Sequence, residues 1–88
     1  MEMKFACTPA ILPVLEDKLK AMGCEIEFAG DHKRAGTVTS MVGEFNFSHI
    51  NGMLFVTSNK EDAGNVGMQL AMKHIKEFIQ DFQQLYAS

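Results

Sequence analysis

The sequence predicts an α+β fold of order β-α-β-β-β-α, with a four-stranded, mostly antiparallel sheet and two helices on one face. Three observations carry this. The stretch from Ser58 to Tyr86 has helical apolar periodicity, Cys24 to Phe28 alternates strictly, and Asn51-Gly52 stands between two extended runs. At 100° per residue, Met68, Ala71, Met72, Ile75, Phe78, Ile79, Phe82, Leu85 and Tyr86 share an arc of roughly 140°. The opposite face carries Gln69, Lys73, Lys76, Glu77, Gln80, Asp81, Gln83 and Gln84, and only Leu70 falls out of place. A stripe that wide needs a sheet to lie on.

Taken in order, Met3 to Cys7 reads as a short strand with Met3, Phe5 and Cys7 on one face. Thr8-Pro9 then marks a helix start, because threonine caps and proline suits the first turn. Ile11, Leu12, Leu15, Leu19 and Met22 give this helix its stripe, and Glu16 and Lys20 form an i,i+4 pair outside. Pro13 removes a donor, so the first turn is kinked or the regular helix starts late. Gly23 supplies the left-handed stop. Cys24 to Phe28 follows as a strand, apolar at 24, 26 and 28 with carboxylates at 25 and 27. Ala29 to Gly36 reads as a polar loop. Thr37 to Ser48 is extended, but Val38 and Val42 are even-numbered while Phe45 and Phe47 are odd. A bulge or bend at Gly43 would restore one parity. Asn51-Gly52 favours a tight hairpin, returning through Met53 to Ser58. Ser58-Asn59-Lys60-Glu61 has the form of a capping box, placing the last helix start near Lys60. Gly64 and Gly67 weaken those first turns by up to ~1 kcal/mol each, which could move the start towards Val66.

The 88 residues suffice for one domain with one small core. Apolar content of 47% and charged content of 22% suit a globular chain rather than a disordered one. Eleven acidic and 8 basic residues leave a formal net charge of −3, which gives no electrostatic reason to expect nucleic acid. No run reaches the ~18 apolar residues of a membrane span, and the polar face of the last helix is too mixed in charge for a membrane surface. The first residues do not read as a secretory signal. With two cysteines only, the expectation is a cytoplasmic protein with reduced thiols.

Cys7-Thr8-Pro9, Val14 to Lys20, Ile26-Glu27-Phe28, the His32 loop, Gly43, Asn51-Gly52 and the run Lys73-His74-Ile75-Lys76-Glu77-Phe78 occur in a familiar order. Together they resemble a family of small bacterial domains of unknown function, often encoded beside or fused to siderophore-interacting reductases. That family has a strand running into Thr-Pro, a Val-Glu-Phe strand, a His-Gly-Arg-type loop and an Ala-His-Leu-Glu-Arg-Phe-like last helix. Here the loop is longer, with Lys33-Arg34-Ala35 before Gly36, and Met41-Val42 replaces an aromatic pair. The resemblance implies the same fold and a link to iron acquisition, and it brings no catalytic residues.

For metal chemistry the chain has no Cys-x-x-Cys or His-x-x-x-His spacing. Cys7 and Cys24 should lie about 15 Å apart across a connecting helix, too far for a disulfide. His32 and His49 are expected in loops at opposite ends of the sheet, and His74 at the apolar border of the last helix. Cys7 would have its thiolate stabilised beside the first helix N-terminus, with His32 in reach, but nothing marks a substrate pocket. No titratable pair is spaced for acid–base work, so the expectation is a non-enzyme without cofactor or metal.

Two functions remain. The first is a protein-interaction or accessory module, which includes self-association as a homodimer: Ile50, Leu54 or Phe55, and Leu70 are hard to bury together, and exposed sheet edges can pair. The alternative is a small anionic-ligand module, for phosphate, a carboxylate or an iron chelate. Its residues would be Thr8, His32, Lys33, Arg34, Ser58 and Asn59, gathered from two helix N-termini and the 31–36 loop.

Overall fold

The computed structural model describes residues 2–59 and 64–87. Its elements are β1 (Glu2–Ala6), α1 (Ile11–Ala21), β2 (Glu25–Ala29), β3 (Ala35–Ser40), β4 (Gly43–Ile50), β5 (Met53–Ser58) and α2 (Val66–Ala87). The α+β class holds, but the sheet has five strands rather than four, all antiparallel, in the order β1-β5-β4-β3-β2.

The extra strand comes from Thr37 to Ser48, which is a hairpin and not one bulged strand. Val38 stands opposite Phe45, and Gly36 opposite Phe47. Across a two-residue turn an even-numbered residue meets an odd-numbered one, so a change of parity is what a tight hairpin produces when one face is buried. The turn residues are Met41 and Val42. Ser40 closes the turn: its hydroxyl donates to the Gly43 carbonyl at 2.8 Å and accepts from the Val42 N–H at 3.3 Å. Gly43, at φ 133°, takes a backbone conformation that L side chains rarely adopt.

One face of the sheet carries the core. Phe5, Leu54, Val56, Phe45, Phe47 and Val38 meet Ile11, Leu15 and Leu19 of α1 and Met68, Met72, Ile75, Ile79 and Phe82 of α2. Gly36 lies between Phe28 and Phe47 in one cross-strand row, and the two rings meet edge-to-face at 6.1 Å. A Cβ at Gly36 would lie 2.8 Å from the Glu27 carbonyl oxygen and 3.0 Å from Phe47 Cε1. Only glycine lets the rings and strands close up there. Among the described residues, no helix covers the other face. Ile50 (56% exposed) and the half-buried Met53 and Phe55 lie there among Ser48, Asn46, Thr37, Thr39, Glu25 and Glu27. Leu70 is also exposed, on α2.

The helix ends differ from expectation. Thr8 does not cap α1 with its hydroxyl: its carbonyl accepts from Ile11 N–H at 3.2 Å, and Ala10 holds the cap position without a side-chain bond. Pro13 falls in the first turn, where backbone N–H groups have no intrahelical partner, so the helix runs through it. At the other end, Gly23 N–H bonds the Lys20 carbonyl and Cys24 N–H the Leu19 carbonyl, both at 3.0 Å. That is a Schellman stop, with Gly23 at φ 85°. α2 starts at Val66, the later of the two expected starts, and its cap is Asn65. The Asn65 Oδ1 accepts from Gly67 N–H at 2.8 Å and Met68 N–H at 3.4 Å, while its amide donates to the Val42 carbonyl at 3.3 Å. One side chain therefore starts the helix and ties it to the β3–β4 turn. Lys60 and Glu61 of the expected capping box lie outside the described residues.

Candidate functional site

Strand directions decide which candidate residues can meet. β1, β4 and β2 run one way, β5 and β3 the other. The start of α1 and the 30–34 loop therefore share one end of the sheet, whereas Ser58 and Asn59 lie at the opposite end. The expected six-residue anion site is divided. Thr8, His32, Lys33 and Arg34 stay together; Ser58 is buried, and Asn59 N–H reaches the Glu44 carbonyl at 3.5 Å. The extra strand causes this, because it reverses β5 relative to β1.

The shared end holds a cleft of about 280 Å³ between Pro9, Leu12, Pro13 and Glu16 of the α1 region and His32, Lys33 and Arg34. Its charges are partly matched already. Lys33, at φ 54°, carries its ammonium over the Phe28 ring at 5.3 Å from the centroid. The Glu16 carboxylate enters the same cleft. Its hydrogen bond from Lys20, at 2.7 Å, holds it below the usual carboxylate range, and the charges of Lys20 and Lys33 add to that.

His49 is not in a loop. It belongs to β4, is 5% exposed, and stands at the same end of the sheet as the 30–34 loop, its N–H bonding the Arg34 carbonyl at 2.8 Å. Its Nε2 lies 2.8 Å from the Cys7 carbonyl oxygen. A carbonyl can only accept, so Nε2 carries the hydrogen. The signal was in the sequence: Phe45, Phe47 and His49 continue one alternation. Burial pushes the Cys7 thiol up, against a smaller lowering by the Leu54 backbone, the opposite direction to the stabilised thiolate expected beside α1. Burial raises the Cys24 thiol too. The two cysteines flank opposite edge strands, about 19 Å apart across the sheet by four strand spacings and at opposite ends of it as well. Among the described residues, no three His, Cys, Asp or Glu side chains converge as a metal site.

A larger concavity lies elsewhere among the described residues, along the edge of β1 and beside α2, and no motif marks it in the sequence. It measures about 570 Å³, within the ~300–1,000 Å³ usual for binding sites. Met3, Phe5 and Met72 supply its apolar lining, and Gln69, Lys73, Lys76, Gln80 and Gln83 of α2 supply polar ends; Lys4 and Ala6 border it along the strand edge, their side chains alternating to the other face. Met3, Phe5 and Met72 are there because they complete the core stripe; the polar residues follow one helical turn apart on α2.

The backbone of β1 completes the groove. In an antiparallel strand both polar groups of one residue point the same way, and successive residues alternate. Cys7 N–H bonds Gly52 O at 3.1 Å, on the β5 side, and the Cys7 carbonyl also points inward, to His49. Phe5 and Met3 share that orientation. Glu2, Lys4 and Ala6 therefore present their backbone groups outward, where among the described residues no strand follows. Of these, the Ala6 carbonyl is met by Gln83 Nε2 at 2.7 Å.

α2 divides its exposed face between two neighbours. Towards β1 it shows Gln69, Lys73, Lys76, Gln80 and Gln83; towards α1 it shows His74, Glu77 and Asp81, which with Lys18, Met22 and Phe78 line a second cleft of about 420 Å³. Among the described residues, no helix is long and apolar enough to cross a membrane. The chain matches no protein-family model, no curated protein and no solved structure.

Proposed function

We propose that this protein is a non-catalytic interaction module that takes an extended segment of a partner as a sixth strand on β1. The observation that supports this most is the coincidence, among the described residues, of a strand edge without a neighbouring strand and a groove of about 570 Å³. Main-chain bonds to Glu2 and Lys4 would supply affinity, and the groove against α2 would select alternate side chains of the added strand. The small-anion reading has weaker support, since Ser58 and Asn59 are remote from its cleft and Glu16 already places a carboxylate there. An accessory role in the cytoplasm, beside the reductases that the family resemblance implies, fits such a module.

The test uses proline, which is tolerated at an edge position whose N–H faces solvent but cannot donate to a new strand. Seven-residue peptides selected from a random display library against the wild-type chain should bind Lys4→Ala nearly as well. They should bind Lys4→Pro at least about tenfold more weakly, the value of a backbone bond lost together with its fit. The Lys4→Pro chain should keep its thermal midpoint within a few degrees. If no peptide is enriched, or if Lys4→Pro binds like Lys4→Ala, the strand-addition reading is wrong.

A further inference from the structure

Resting on that reading, we infer that the added strand is an acidic segment of a different protein, with carboxylates at alternate positions facing α2. The chain as a whole carries a formal net charge of −3. The groove departs from this: the charged side chains that α2 turns towards it are Lys73 and Lys76, and among the described residues no carboxylate lines it. Lys4 has a loose pairing with Glu2 at 3.8 Å. Neither Lys73 nor Lys76 forms an ion pair among the described residues, and both are exposed. Negative charge placed there meets two uncommitted cations beside an apolar wall, where water screens less than on an open surface.

Spacing favours alternation. Along a helix Lys73 and Lys76 are about 4.5 Å apart and Gln80 about 6 Å further on, at 1.5 Å per residue. Side chains on one face of a strand repeat every ~6.8 Å. A carboxylate at one position can reach Lys73, and its neighbour two residues along can reach Lys76 with Gln80 as a second donor.

A second copy of this chain is a poor occupant. Pairing two β1 edges about a two-fold axis would set the two α2 helices side by side, each turning its Lys73 and Lys76 towards those of the other copy. The other edge strand, β2, does carry alternating Glu25 and Glu27. They project from the open face, opposite to Ile26 and Phe28, and so away from the lysines of α2.

The experiment is a backbone-amide NMR titration of the full chain with three blocked peptides: Thr-Glu-Val-Glu-Val-Glu-Thr, its glutamine analogue and its lysine analogue. The expected result is saturable shifts over residues 2–6 and 69–83 with the glutamate peptide. The glutamine analogue should bind about tenfold more weakly, and the lysine analogue should not bind. A Lys73→Gln/Lys76→Gln variant should lose the preference for glutamate. Equal binding of the glutamate and glutamine peptides at β1 would overturn the acidic partner and leave strand addition standing. No shift at β1 with any peptide, or concentration-dependent broadening at β1 without peptide, would overturn both.

Discussion

The Gln83 side-chain amide donates to the Ala6 carbonyl at 2.7 Å, joining residues 77 apart in the chain. Ala6 ends the exposed edge of β1, and Gln83 covers one of the few backbone acceptors an incoming strand could use. Edge strands are commonly guarded in this way against unwanted pairing.

Gln83→Ala removes the guard without touching the core, since Gln83 lies beside Phe82 and not in the buried stripe. The freed carbonyl can then accept from an added strand. Affinity for the glutamate peptide is expected to rise about two- to tenfold, as one net hydrogen bond of ~0.5–1.5 kcal/mol implies. The same titration measures it. A fall in affinity would show that Gln83 holds the partner rather than shielding the edge.

His49 connects β4, across β5, to the chain where it leaves β1 for α1. The Cys7 peptide is held on both sides, its N–H by Gly52 O at 3.1 Å and its carbonyl by His49 Nε2 at 2.8 Å. His49→Ala would leave a buried acceptor without a donor, at a cost of about 1–3 kcal/mol. His49→Gln keeps a donor amide and should recover part of that. Urea unfolding of the three proteins checks the order. A loss below about 0.5 kcal/mol for His49→Ala would mean that water replaces the imidazole.

Much of this fold is legible because local patterns and packing agree. The α1 stripe, the Gly23 stop, the alternation at Glu25 to Phe28 and the Asn51-Gly52 turn each have one cheap physical solution. Asn51 at φ 51° and Gly52 at φ 79° give the turn its positive angles. The β3–β4 hairpin was harder, because Met41-Val42 has no turn chemistry of its own; Ser40 and Gly43 on either side do the turning. Reading that parity change as a bulge removed a strand, and with it the direction of β5. That error alone placed Ser58 and Asn59 beside Thr8.

The β1 groove was not legible for a different reason. Lys73, Lys76 and Gln83 look like an ordinary solvated helix face in sequence, and Lys4 looks like an ordinary edge residue. Only strand order puts β1 at the sheet edge, and only the seating of α2 brings those residues alongside it. Asn65, too, gains meaning from tertiary context. Its cap geometry depends on Val42, 23 positions away, which no local pattern reports.

The thiols give a pH dependence whose direction is fixed by burial. Desolvation raises both Cys7 and Cys24 in the folded chain. A thiol whose folded value lies above its unfolded value stabilises the fold fully below the unfolded value, about 8.5. As pH rises through that value the unfolded chain loses its thiol protons first, so stability falls until the folded thiols also ionise. Urea midpoints are therefore expected to decline above about pH 8.5, less so in Cys7→Ala/Cys24→Ala when each protein is compared with its own value at pH 7. Iodoacetamide at pH 7.5 should label the native chain more slowly than the urea-unfolded chain, since reaction needs an accessible thiolate. Labelling of native Cys7 at the unfolded rate would show that the strand end opens freely, and the groove beside it would then not be a fixed surface.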